Sequence, residues 1–191
     1  MAEREILIVV GSPRPQGACA ALADEVRKGA EAAGAVTHRY DLHGMDMQPC
    51  TACDACLESA DADCIVEDDM RLLYPLLRRV DALVIASPVY WFNVSAQTKL
   101  FIDRGFYALQ DPEGGNALKG KEVGLILAYG AEDLESSGGQ NAISSFEDIF
   151  GFIGVDIVGT VHGSTADGDI RLQNAVMKEA YKLGQRLGGG H

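Results

Sequence analysis

Four of the chain's five cysteines fall in one stretch, PCTACDACLESADADC, as Cys50, Cys53, Cys56 and Cys64; Cys19 stands alone. Thiolates are soft ligands, and four of them suffice for a 4Fe–4S cluster or for tetrahedral zinc. Zinc usually draws on two Cys-x2-Cys knuckles set well apart in sequence. Three cysteines at successive two-residue spacings in one short loop wrap a compact cuboidal cluster better. The fourth follows only after seven residues and precedes Ile65, whereas the bacterial ferredoxin run closes with three residues and then Cys-Pro. The intervening LESADAD carries three carboxylates, and negative charge beside an anionic cluster lowers its potential and its stability. On spacing alone a cluster, zinc, disulfides and free thiols all stay open.

Composition restricts the setting of those thiols. Lys and Arg number 16 against 28 Asp and Glu, a formal net charge of −12. A surface so acidic repels nucleic acid and anionic membranes, because it has few cations with which to displace their counterions. No apolar run approaches the length of a bilayer span. The opening MAEREILIVV passes straight into an apolar run, without a basic region or a small-residue cleavage site, and so does not read as a secretory signal. The expectation is a cytoplasmic, reducing compartment, where clustered cysteines more often mean metal or redox chemistry than disulfides. An anionic cofactor on this chain would need local devices, backbone N–H groups and single arginines, against the global field.

The elements that must position these groups are marked by hydrophobic pattern. EILIVV (5–10), DALVIASP (81–88) and EVGLILAYG (122–130) are short, continuous apolar runs, the pattern of strands buried on both faces. VTHRYDL (36–42) is a half-polar strand and DIVGTVHG (156–163) a final one. Helical composition fills 18–34, 95–109, 139–154 and 168–187, with Asp169 near the start of the last helix. A further helix starts near Asp68–Asp69, where Pro75 suggests a kink or a late start. Strands alternating with helices in this way predict a doubly wound α/β domain around a five-stranded parallel sheet. One domain over 1–191 is expected, with a cysteine-rich loop at 49–64 and a frayed tail at 188–191.

In open α/β sheets, ligands sit beyond the carboxyl ends of the strands. The first such loop, GSPRPQGACA (11–20), has glycines for a sharp exit, Ser12, Arg14 and a helix start near Gly17–Ala18 that offers N–H groups to an anion. It is neither G-x-G-x-x-G nor a Walker loop, and an ordinary strand-to-helix turn would also satisfy it. The second, SPVYWFN (87–93), carries three consecutive aromatics; they could pack under the next helix, or give a flat cofactor ring something to stack on. The third, AYGAEDLESSGGQ (128–140), is long, polar and glycine-rich, able to close over a ligand or simply to move.

GSPRPQG after the first strand, SPVYWFNVSAQTKLFIDR after the third, and Cys-x2-Cys-x2-Cys-x7-Cys leading into DDM resemble the NAD(P)H-dependent FMN reductase and iron–sulfur flavoprotein family. LAYGAEDLESSGGQ and the closing GDI…LG extend the likeness over nearly the whole chain. The resemblance implies a flavodoxin-like fold with sheet order 2-1-3-4-5 in three α/β/α layers. It implies an FMN phosphate held by Ser12, Arg14, Gly17, Ala18 and Cys19. Pro88, Val89, Tyr90, Trp91, Phe92 and Asn93 would border the isoalloxazine, largely through backbone, with Tyr129 and Gly130 beside it. The family often has Asn-Thr where this chain has Ala18–Cys19, so a hydroxyl donor gives way to a weakly donating thiol. Cys19 reads as a small packing residue.

The implied activity passes electrons from NAD(P)H through FMN to a small acceptor: a quinone, a metal ion, a nitro compound or free flavin. The alternative is an iron–sulfur flavoprotein that exchanges electrons with ferredoxin through FMN and a 4Fe–4S cluster on Cys50, Cys53, Cys56 and Cys64. No residue is an obvious catalytic acid or base. His162, ending the last strand at the same face, reads as a surface or structural histidine. A homodimer or homotetramer is expected, with the aromatic-rich KLFIDRGFYAL as its apolar contact surface. Non-flavin readings of the fold fare worse: a response regulator needs an acidic residue where this chain has Ser87–Pro88, and a low-molecular-weight phosphatase needs Cys-x5-Arg in the first loop.

Overall fold

The computed structural model describes residues 3–59 and 62–190; Ala60 and Asp61 of the cysteine-rich stretch and His191 of the tail lie outside them. In chain order the elements are β1 (Glu5–Val10), α1 (Ala18–Ala32), β2 (Val36–Asp41), α2 (Met70–Arg79), β3 (Ala82–Tyr90), β4 (Asn93–Val94), α3 (Ala96–Gly105), β5 (Glu122–Tyr129), α4 (Gly139–Ile153), β6 (Asp156–Ser164) and α5 (Asn174–Gly189). The five long strands pair in parallel in the order β2-β1-β3-β5-β6, and β4 folds back antiparallel on the end of β3. This is the expected 2-1-3-4-5 order, with one two-residue strand added.

The continuous apolar runs are explained by two cores. Successive side chains of a strand point to opposite faces. Leu7, Val9, Leu83, Ile85, Val123 and Leu125 face α2, α3 and α4, while Ile6, Ile8, Val10, Val84, Ala86 and Ile126 face α1 and α5. A strand polar on either side would leave one layer without a floor. The α1–α5 layer closes backbone to backbone: a Cβ at Gly29 would lie 2.0 Å from the Tyr181 carbonyl oxygen, and one at Gly184 would lie 1.9 Å from that of Val26.

Three expectations change. α5 runs on through Gly188 and Gly189, where the tail was expected to fray, because Gly188 is buried against α1. α2 begins at Met70 and carries Pro75 inside it, so the start is not late; Lys121 Nζ donates to the Arg78 and Val80 carbonyls where that helix ends. The phenylalanines of KLFIDRGFYAL turn inward: Phe101 and Phe106 are buried and pack edge-on to one another, and Phe106 continues onto Phe150 and Phe146 of α4. That segment is core, and the large exposed aromatic of the neighbouring helix is Phe152.

The cysteine-rich excursion leaves and rejoins the fold at one point. Arg104 of α3 donates to the Gln48 carbonyl at 2.6 Å and through two nitrogens to the Asp68 carboxylate at 2.7 and 3.2 Å. Asp68 also accepts from the Gln48 and Met70 N–H groups. Both charged side chains of this pair are 1% exposed. Burial pushes the Asp68 carboxyl up, but the Arg104 fork and the two N–H groups outweigh it and hold it below the ordinary carboxylate range.

Candidate functional site

At the carboxyl ends of β1, β3 and β5, three loops converge on an open cavity of about 280 Å³. Ser12, Arg14, Gly17, Ala18 and Cys19 line it from the first loop, Pro88, Val89 and Tyr90 from the second, Tyr129 and Gly130 from the third. Ala128 and Thr165 complete it. Trp91, Phe92 and Asn93 are not in the lining.

The first loop is built to leave donors free. Gly17 precedes α1 as its cap position and no side chain caps the helix, so its first-turn N–H groups, with Ala18 and Cys19 in the cavity lining, are left without a side-chain partner. The Ser12 hydroxyl accepts from the Arg14 N–H at 3.2 Å, which sets the loop's curl. Arg14 is exposed and is the only charged residue in the lining. Cys19 is buried; burial pushes its thiol up to about 12, with the Ala128 N–H opposing, so it packs as a neutral group.

A buried set of hydroxyls ties this loop to the second. Ser95 caps α3 by accepting from the Thr98 N–H at 3.2 Å, and its hydroxyl donates to the Gly11 carbonyl at 2.7 Å. The Ser95 N–H in turn donates to the Ser87 hydroxyl at 3.0 Å. Gly11 allows this approach: a Cβ there would lie 1.9 Å from Thr98 Oγ1. Ser87, Ser95 and Thr98 escaped the sequence reading; a serine just before an amphipathic run is the N-cap signal that marks Ser95.

The second loop is a tight return. Tyr90 pairs with Asn93 across a two-residue turn, and Trp91 and Phe92 have φ of 48° and 67°. Such turns favour Asn-Gly, because both central residues are left-handed. Trp91 is 94% exposed. Phe92 lies on Gly138 at the start of α4, where a Cβ would meet the ring at 2.3 Å. The third loop is thereby held to the second.

Tyr129, at the end of β5, is held by its carbonyl, which accepts from the Thr165 N–H at 2.7 Å and the Thr165 hydroxyl at 3.0 Å. Its own hydroxyl lies 3.0 Å from His162 Nδ1, with the rings stacked at 6.0 Å. Burial, then the nearby Asp133, raise the Tyr129 phenol above its usual range.

The cysteines stand apart from this cavity. Cys50 and Cys53 are exposed, Cys56 is buried and Cys64 lies between. The Ala55 N–H and Thr51 hydroxyl hold the Cys53 thiol below its ordinary value, while burial and then the neighbouring thiols push Cys56 up. Among the described residues, no three His, Cys, Asp or Glu side chains are grouped as a metal site. The four thiols suit a cluster in kind and number, and Cys50, Cys53 and Cys64 are all near enough to Cys56 to push its thiol up. Cys50 borders a second, larger cavity of about 680 Å³ between α3 and α4, whose lining includes Phe106, Tyr107, Ile149 and Phe152. Among the described residues, its lining holds no cation.

A model of the family described as NADPH-dependent FMN reductase matches residues 4–167. An iron–sulfur flavoprotein of Archaeoglobus fulgidus is 32% identical over 94% of this chain and 76% of its own length. Another iron–sulfur flavoprotein, from Methanocaldococcus jannaschii, is 28% identical over 96% and 95%. Among solved structures, an NAD(P)H:quinone oxidoreductase from Methanothermobacter marburgensis superposes with a TM-score of 0.78 at 20% identity, covering 100% of this chain and 98% of that one. The last comparison bears on the fold.

Proposed function

Since this chain belongs to the NADPH-dependent FMN reductase family of flavin-dependent NAD(P)H oxidoreductases, we propose that it passes electrons from NAD(P)H through FMN to a small acceptor, such as a quinone, metal ion, nitro compound or free flavin. The observation that carries this reading is the three-loop cavity. Its first loop offers uncapped α1 N–H groups, the Ser12 hydroxyl and the lone Arg14 to a phosphate, as an anion site on an acidic protein requires. Pro88, Val89 and Tyr90 give a ring an apolar edge, and Gly130, where a Cβ would meet nothing within 4 Å, leaves room beside it. Trp91, Phe92 and Asn93 stand just beyond, able to border a bound ring from outside the lining. The buried Cys19 supplies packing rather than a donor.

Bound there, FMN would supply hydride transfer between nicotinamide and acceptor. The chain's part is to fix the phosphate end, exclude water on the Pro88–Tyr90 side and leave one ring face open. Anaerobic mixing of the FMN-loaded protein with NADPH and with NADH tests the reading: rapid bleaching of flavin absorbance is expected, and none with either donor overturns it.

The second reading, an electron carrier exchanging electrons with ferredoxin through FMN and a 4Fe–4S cluster, is supported by the four thiols and by the names of the two archaeal relatives. Iron and acid-labile sulfide counts after anaerobic purification decide it. A homodimer or homotetramer accompanies either reading, with Phe152 and the adjacent apolar cavity as its contact face in place of the buried Phe101 and Phe106.

A further inference from the structure

Tyr129 and His162 occupy positions that no role above uses. His162 pairs in register with Leu127, and Tyr129 follows Leu127 by two, so the two side chains are diagonal neighbours on one face of the β5–β6 pair. Tyr129 lines the three-loop cavity, while His162 is exposed to solvent. The Tyr129 hydroxyl and His162 Nδ1 are 3.0 Å apart, and the two Thr165 hydrogen bonds to the Tyr129 carbonyl fix the ring's base. A path of exchangeable protons therefore runs from bulk water, through one imidazole, to the phenol of a residue that lines the cavity.

Resting on the flavin reading, the geometry points to Tyr129 as the proton donor to acceptors that take up a hydride at this site, with His162 as the positioning residue that resupplies it. A quinone reduced in this way gains two electrons and a proton with the hydride, and needs one further proton on the oxygen that becomes negative. Tyr129 Oη gives up that proton as an O–H bond forms on the acceptor; His162 Nδ1 returns one to Oη, and water reprotonates the imidazole. The hydride comes from NAD(P)H by way of FMN. Burial and Asp133 keep the phenol protonated at neutral pH, as a donor must be.

The test compares acceptors that differ only in needing the proton. FMN-loaded wild-type, Tyr129→Phe and His162→Ala proteins are photoreduced anaerobically, then mixed with benzoquinone, which takes a hydride and a proton, or ferricyanide, which takes electrons alone. The benzoquinone-to-ferricyanide rate ratio is expected to fall about 100-fold in Tyr129→Phe and about 10-fold in His162→Ala, with added imidazole restoring the latter. The solvent deuterium isotope effect on benzoquinone reduction should change with Tyr129→Phe. An unchanged ratio, or equal slowing with both acceptors, overturns the assignment and leaves the pair a packing contact. Failure of the wild-type protein to take up FMN would overturn the flavin reading beneath it, and appears before any acceptor is added.

Discussion

Arg14 is the residue on which an anionic cofactor most depends here. It is the only charge in the cavity lining, on a chain of net charge −12, and among the described residues its guanidinium makes no hydrogen bond or ion pair. Hydrogen bonds to charged groups contribute roughly 1.5–3 kcal/mol. Arg14→Ala is therefore expected to weaken FMN binding roughly 10- to 100-fold, read by quenching of flavin fluorescence on titration; unchanged affinity would refute the phosphate assignment. Trp91 poses the opposite question. Its ring is almost wholly in solvent, yet its backbone is left-handed, a conformation that costs an ordinary residue roughly 1–2 kcal/mol. Trp91→Asn should raise stability by about 1 kcal/mol, since asparagine tolerates that conformation, and thermal unfolding of the cofactor-free protein measures it. A loss of stability would mean the indole is packed.

At the scale of elements, the buried Arg104–Asp68 pair sets how firmly the cysteine loop is rooted. Asp68 is held below its ordinary range, so its contribution is fully present above the unfolded carboxyl value near 4 and is lost as pH falls through the lower folded value. Protection of the Gln48 N–H, which donates to Asp68, against hydrogen exchange, taken relative to the free amide, should hold from pH 5 to 8 and fall only below about pH 4, as the Asp68 carboxylate is protonated. Asp68→Asn leaves a buried guanidinium without its counter-charge and should cost about 3–5 kcal/mol in denaturant unfolding.

That pair also marks where sequence reading stops. The strands were legible because two cores demand continuous apolar runs, as in EILIVV. The first loop was legible because glycines, Ser12 and Arg14 precede a helix without a cap. Arg104 and Asp68 were not, since charged residues far apart in sequence read as surface until the fold brings them together. Trp91–Phe92 hid the tight return because neither residue suits a left-handed position. The inward turn of Phe101 and Phe106 was hidden as well: helical periodicity shows that a face is apolar, not which neighbour covers it.

For the whole molecule, the three-loop cavity lies at the carboxyl ends of the adjacent strands β1, β3 and β5. The apolar space beside Phe152 lies elsewhere, between α3 and α4. Assembly and flavin uptake should thus be separable. Light scattering at micromolar concentration is expected to give a dimer or tetramer mass for the wild type and a smaller one for Phe152→Asp, with FMN titration unchanged. A monomeric wild type would remove the oligomer proposal. Among the described residues, no helix is long and apolar enough to cross a membrane.

The junction at Gln48 and Asp68 has one more consequence. Both ends of the segment meet at one clamped point, while within it Asp54 accepts from Tyr107, Asp63 accepts from Arg78 and Cys56 packs into the core; the segment is a cassette whose exposed residues, Cys50 and Cys53 among them, can vary while the sheet that carries the three loops keeps its shape. Lineages sharing this scaffold could gain, lose or re-space thiols there by exchanging some twenty residues. Whether a given member stores electrons on sulfur-bound metal is then a property of the cassette, inherited independently of the pocket it serves.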